Sequence, residues 1–117
     1  MTLAANILVG LVAALHLGFL VLEMFYWDRP LGREIFHTTP EFSRASAVLA
    51  ANQGLYNGFL AAGLVWGLAS GQVNVILFFL SCVLLAGLYG GFTAGRSILY
   101  IQALPAAIAL LAVYLSN

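Results

Sequence analysis

Two stretches of the sequence place polar side chains inside segments that are otherwise apolar. The first stretch carries His16 and Glu23, seven residues apart. On an α-helix that spacing puts the two side chains about 20° apart on one face. A carboxylate in a low-dielectric environment favours its protonated form, and a neutral histidine nearby can exchange a proton with it. The pair is therefore suited to proton coupling or to acid–base chemistry on a lipophilic molecule.

The second stretch adds neutral hydrogen-bonding groups. A spacing of four residues places Asn52 beside Tyr56 and Gln53 beside Asn57, because side chains at i and i+4 share a helix face. Polar groups inside apolar segments either form a functional site or join neighbouring helices through hydrogen bonds. The residues predicted to form a ligand or proton site are His16, Glu23, Asn52, Gln53, Tyr56, Asn57, Tyr89 and Gln102.

Several kinds of chemistry lack the residues that they need. His16 and Glu23 supply two metal ligands and the sequence offers no clear third, so we predict no metal. We predict no cofactor and assign no catalytic residue, since neither a phosphate-binding glycine loop nor a nucleophile–base set is recognisable. Cys82 is the only cysteine and cannot form an internal disulfide. With no lysine and four arginines balancing four acids, nucleic-acid binding has no electrostatic basis.

The apolar segments are long enough to cross a lipid bilayer. The chain of 117 residues is 63% hydrophobic and 7% charged, and its mean hydropathy is +1.04. A soluble domain of this size needs more charge on its exterior. About 20 apolar residues span a bilayer as a helix. We therefore predict a single integral membrane domain, residues 1–117, with spans at about 3–26, 45–69, 73–92 and 97–115.

The arginines predict how these spans are oriented. The connection 27–44 carries three arginines, and the turn before residue 97 carries the fourth. Positively charged connections stay in the cytoplasm, and short connections make consecutive spans antiparallel. The predicted fold is all-α, an up-down four-helix bundle in a bacterial inner (plasma) membrane, with both termini outside and 27–44 as a cytoplasmic interfacial loop. The residues predicted at the interface are Trp27, Arg29, Arg44 and Arg96.

The predicted site residues lie in the same half of the bilayer. At about 1.5 Å per residue from the cytoplasmic boundary, the eight predicted site residues fall roughly 5–18 Å deep, all in the cytoplasmic half of the spans. The outer half is almost entirely aliphatic and aromatic. This distribution predicts a shared polar pocket that opens towards the cytoplasm.

Small residues recur at every fourth position in the second and third spans. Gly54 and Gly58 are part of one such ridge, and Gly87, Gly91 and Gly95 form another. Ridges of small residues allow helix backbones to approach closely. They indicate either packing between neighbouring helices of the chain or the contact face of a homodimer.

Two motifs resemble a known family. The spacing of His16, Glu23, Met24 and Trp27, followed by the segment ANQGLYNGFL at 51–60, is similar to small bacterial integral membrane proteins catalogued as a domain of unknown function. The similarity extends over the whole chain. It implies a four-helix inner-membrane protein, and it brings no established activity, cofactor or catalytic residue.

Three functions remain open from the sequence. The first is a protein that binds or transports a small lipophilic or cationic molecule, with Glu23 as the charged or proton-exchanging group and His16 as its proton partner. The second is a membrane-embedded isomerase-like or lipid-modifying enzyme that uses Glu23 and His16 as acid and base, which rests on fold analogy. The third is a structural or accessory subunit of a larger membrane complex, in which the polar groups join helices.

Overall fold

The regular secondary structure of the protein is entirely helical. The computed structural model describes residues 1–117, and it contains no strand. The helices are α1 (Leu3–Phe25), α2 (Pro30–Phe36), α3 (Pro40–Ser70), α4 (Val73–Thr93) and α5 (Leu104–Leu115). A π-helical turn, Leu99–Ala103, runs directly into α5. The all-α prediction is confirmed.

The connection between α1 and α3 is more ordered than the sequence suggested. It contains α2, which begins at Pro30 and ends at His37 in the left-handed conformation (φ 56°, ψ 45°). Helix α3 then begins at Pro40, as its proline and preceding threonine predict. The Oγ1 atom of Thr39 accepts a hydrogen bond of 3.2 Å from the amide of Phe42, which caps the helix. Residues 27–44 thus contain α2 and the start of α3.

The chain divides into two compact units. Unit 1 comprises residues 1–14 and 60–117, and unit 2 comprises residues 15–59. The core of unit 1 is apolar and is built from small and branched side chains. Its buried members are Ala5, Val9, Val12, Ala13, Leu64, Ile76, Leu80, Val83, Ala106, Ala109 and Val113.

Glycines bring the backbones of unit 1 close together. A Cβ atom at Gly87 would lie 2.8 Å from the backbone nitrogen of Ala103. Gly91 likewise faces the side chain of Leu99, and Gly63 faces the ring of Phe79. Gly87 and Gly91 therefore pack within the chain, and a homodimer through Gly87, Gly91 and Gly95 stays a prediction.

Unit 2 has a different interior. The three buried polar residues of the protein, His16, Ser43 and Asn57, all lie in it. Buried polar groups need hydrogen-bond partners, so this unit is where a functional site is to be sought.

Two helices, α1 and α4, are long and apolar enough to cross a membrane. Helix α3 is long as well, but it carries the polar residues Asn52, Gln53 and Asn57, which lower its hydropathy. The apolar stretch Leu99–Leu115 is shorter. By length and composition the structure thus contains two candidate spans, where the sequence predicted four.

Candidate functional site

The structure brings two of the predicted site residues, Glu23 and Asn57, into direct contact. The Nδ2 atom of Asn57 donates a hydrogen bond of 2.5 Å to Oε1 of Glu23. Asn57 is buried and Glu23 is half-buried. The bond joins the last turn of α1 to the middle of α3, across 34 residues of sequence.

Two glycines of α3 allow this approach. A Cβ atom at Gly54 would lie 2.8 Å from Cγ of Met24 and 3.1 Å from Cβ of Glu23. One at Gly58 would collide with the side chain of Leu20. A larger residue at Gly54 would therefore press on the backbone of α1, whereas at Gly58 the end of the Leu20 side chain would have to move. These glycines pack inside the chain, and a homodimer through them stays a prediction.

Glu23 has no cationic partner in the chain. The one ion pair joins Arg33 to Asp28, with 3.1 Å between Nη1 and Oδ1. Glu23 accepts its one hydrogen bond through Oε1, whereas an ionised carboxylate can accept about four. The carboxylate is thus oriented by an amide and is not neutralised by a neighbouring positive charge. Such a group can hold a proton or bind a small cation.

His16 lies on the same helix as Glu23, about two turns earlier. The histidine is 1% exposed, and its ring meets Phe19 edge-on with the centroids 5.1 Å apart. Seven residues of α-helix correspond to about 10 Å along the axis. The hydrogen bond of Glu23 goes to Asn57 instead.

Three predicted site residues of α3 point away from the buried pair. Asn52 and Gln53 are exposed. Tyr56 is 56% exposed, and its ring packs edge-on against Phe59 at 5.8 Å. Helical rotation separates Tyr56 and Asn52 from Asn57, by about 100° and about 140° respectively. Gln53 lies only about 40° around the helix from Asn57, yet it is exposed.

The remaining two predicted residues, Tyr89 and Gln102, belong to unit 1. Tyr89 is 74% exposed. The Nε2 atom of Gln102 donates a hydrogen bond of 3.1 Å to the backbone oxygen of Val83. That bond links the π-helical turn to α4, which is the interhelical role that amides often have in membrane helices.

Residues 10–114 match the sequence model of a family described as protein of unknown function (DUF1304). The chain belongs to this family. It is also 31% identical over 115 residues to the uncharacterized protein YpaA of Lactococcus lactis subsp. lactis (strain IL1403), an alignment that covers 95% of this chain and 97% of that protein. No solved structure matches the chain. The resemblance to a family of unknown function is confirmed.

Sequence reasoning missed a polar cluster in this DUF1304 protein. Oδ1 of Asp28 accepts hydrogen bonds from Oγ of Ser43 at 2.7 Å and from Nη1 of Arg33 at 3.1 Å. Ser43 is fully buried. The cluster ties the segment after α1 to α2 and to the start of α3. Its sequence signal was weak, because Asp28 and Ser43 are 15 residues apart and α2 had not been recognised between them.

Trp27 belongs to a second contact at the same end of unit 2. Its Nε1 atom donates a hydrogen bond of 3.1 Å to Oγ of Ser46, and its ring lies 4.9 Å from that of Phe36. Tryptophan with a bonded N–H and an apolar body suits a membrane interface. The other predicted interfacial residues, Arg29, Arg44 and Arg96, are all exposed.

Two further features of the DUF1304 chain bear on its chemistry. No group of three or more His, Cys, Asp and Glu side chains is placed to hold a metal ion.

A groove of about 340 Å³ lies in unit 1 and is mainly apolar. The residues that line it are Val73, Leu77, Val113, Tyr114, Leu115 and Asn117. None of the predicted site residues is among them.

Proposed function

We propose that the protein is a multi-pass membrane protein, with its four spans in α1, α3, α4 and the stretch Leu99–Leu115. The support comes from where the apolar side chains lie. In the most hydrophobic part of α1, 22% of the residues are buried, and in α4 28% are buried. The core helix of a soluble protein is mostly buried, whereas lipid can cover exposed leucine and phenylalanine.

The proposed topology is an antiparallel up-down bundle that forms one membrane domain from residue 1 to residue 117. Arg29, Arg33 and Arg44 lie between α1 and α3, and Arg96 lies between α4 and the π-helical turn. These two connections would be cytoplasmic by the positive-inside rule, which places both termini on the outer face of a bacterial plasma membrane.

We propose further that this membrane protein binds a small lipophilic cation at Glu23 and exchanges it for a proton. The observation that carries the proposal is the hydrogen bond between Asn57 and Glu23. A carboxylate inside a span is costly and is retained where it serves a function. Asn57 fixes one oxygen of the carboxylate, and a cation or a proton can neutralise the charge from the other side.

The contacts favour binding over the enzymatic alternative. General acid–base catalysis by two groups needs both within hydrogen-bond reach of the reacting atoms or of one bridging water. His16 is buried and lies about two helical turns from Glu23 along α1. The buried pair that the structure contains is a carboxylate with an amide, and an amide does not titrate.

Binding of the lipophilic cation tetraphenylphosphonium to the detergent-purified protein tests this proposal. Glu23→Gln keeps a side-chain oxygen that can accept from Asn57, and it removes the negative charge. We expect at least a tenfold loss of affinity in isothermal titration calorimetry. The matched control is Glu34→Gln in α2, an exposed acid, which should bind as the wild type does.

The pH gives a second test of the same site. A proton and a cation compete for one carboxylate, so the wild-type affinity should fall as the pH is lowered, and the Glu23→Gln variant should lose this dependence. Equal binding by wild type and Glu23→Gln would refute the role of Glu23. Retention of the protein in membranes after carbonate washing tests the membrane location separately. Stable copurification with a larger complex, without cation binding, would favour an accessory subunit instead.

A further inference from the structure

The exposed side of α3 carries a regular pattern. Six exposed residues follow one another at alternating spacings of three and four. This is the spacing of the contact residues in a two-stranded coiled coil. We call this set the α3 seam, and its members are Phe42, Ala45, Leu49, Asn52, Tyr56 and Phe59. From Phe42 to Phe59 the seam is about 26 Å long at 1.5 Å per residue.

Asn52 is the amide in the middle of this seam. It is exposed and forms no hydrogen bond within the chain, while Asn57 on the buried side is bonded to Glu23. If α3 spans the membrane, as the proposed function requires, Asn52 lies about 11 Å inside the apolar segment that begins at Ala45. Lipid tails offer an amide neither a donor nor an acceptor. The side chain therefore needs a partner outside the chain.

We propose that this partner is Asn52 of a second copy, in a parallel dimer with twofold symmetry along the α3 seam. A twofold axis places each seam residue opposite the same residue of the other copy. An amide both donates and accepts hydrogen bonds, so Asn52 is complementary to itself. Leu49 and Tyr56 flank it on the seam, and no seam residue carries a charge that would repel its twin.

The glycines of α3 do not compete for this role. Gly54 lies two residues from Asn52, about 200° around the helix, and it is buried against Met24 and Glu23. Helix α3 thus uses its small residues towards α1 and presents its amide on the other side. The dimer would use a surface that the chain itself leaves uncovered.

Disulfide cross-linking in native membranes tests the dimer. Cys82 is the only cysteine, so Cys82→Ser gives a clean background. In a parallel dimer, single cysteines at Leu49, Asn52 and Tyr56 should each cross-link to the same position of the other copy. Leu55→Cys is the matched control, because Leu55 is exposed but lies about 100° around the helix from Tyr56. We expect at least five times more cross-linked product at the seam positions than at Leu55.

Any other cross-linking pattern contradicts the proposed dimer. Equal cross-linking at Leu55 indicates random collision, and none at the seam indicates that the two copies do not meet there. Cross-linking at Asn52 without Leu49 and Tyr56 indicates an antiparallel crossing. Protein that stays in the membrane and binds the cation without cross-linking at the seam overturns the dimer alone. Protein that does not stay in the membrane overturns the proposed location as well.

Dimer affinity in detergent gives a measurement that needs no cysteine. Asn52→Leu keeps the seam filled and removes the amide pair, so the dimerisation constant should fall about 3- to 30-fold, the range for such bonds between membrane helices. Asn74→Leu, at an exposed amide in the first turn of α4, should leave it unchanged. An Asn52→Leu dimer as strong as the wild type would show that the amide makes no contact between copies.

Discussion

Adding one methyl group at Gly87 should lower the stability of the protein. In Gly87→Ala the new Cβ atom would lie 2.8 Å from the backbone nitrogen of Ala103 and 3.0 Å from its Cα and Cβ atoms. Carbon atoms in good contact are about 3.5–4.0 Å apart. Since the obstacle is backbone, α4 and the π-helical turn must move apart, and such overpacking costs about 1–3 kcal/mol.

The same substitution at Gly10 should act in the opposite direction. A Cβ atom there meets nothing within 4 Å, so Gly10→Ala gains helix stability without a clash, about 0.5–1 kcal/mol. That gain also applies at Gly87, which leaves a net loss of up to about 2.5 kcal/mol for Gly87→Ala. The helix gain is common to both variants, so they should differ in free energy of unfolding by the overpacking cost, about 1–3 kcal/mol.

Thermal unfolding in detergent, followed by far-ultraviolet circular dichroism, measures this difference. In a soluble domain somewhat smaller than this chain, 1 kcal/mol corresponds to about 4–8 °C in Tm. Gly87→Ala should unfold several degrees below the wild type, and Gly10→Ala at or above it. Equal Tm values for the two variants would mean that α4 does not approach the π-helical turn as closely as described.

Three further predictions concern single residues. Ser43→Ala removes the 2.7 Å bond to Asp28 and should lower the free energy of unfolding by about 1.5–3 kcal/mol, as for bonds to charged groups; unchanged chemical denaturation would contradict this. Ser46→Ala leaves Nε1 of Trp27 without its acceptor, so the tryptophan emission should shift, whereas Ser70→Ala should not shift it. Gly71 has a φ of 69°, so Gly71→Ala should lower the Tm by an amount that corresponds to about 1 kcal/mol.

The sequence predicted those helices well that are long, continuous apolar segments. Long apolar runs were sufficient to predict the all-α fold. The short helix α2 was missed because it has seven residues and no side-chain cap. A helix of that length depends on contacts outside itself, such as the bond between Arg33 and Asp28 and the ring contact between Phe36 and Trp27, and hydrophobic periodicity does not reveal them.

The candidate site could be predicted only in part. Its residue types pointed to Glu23 and the amides of α3, but the rotation of α3 decides which amide meets the carboxylate. One residue corresponds to about 100°, and this rotation turns Asn57 inward and leaves Tyr56 exposed. Spacing along one helix does not fix that angle. It is set by the close approach of Gly54 and Gly58 to α1.

The π-helical turn Leu99–Ala103 has a consequence for how the chain tolerates changes in length. A π turn accommodates one residue more than an α turn, so it amounts to an insertion absorbed within a helix. Deleting one residue from it would leave a regular α-helix, and the inward side of α5, with Ala106, Ala109 and Val113, would keep its orientation. Helix α4 has no extra residue that could compensate for a deletion. A deletion in its middle would rotate every later side chain of that helix by about 100° relative to its neighbours.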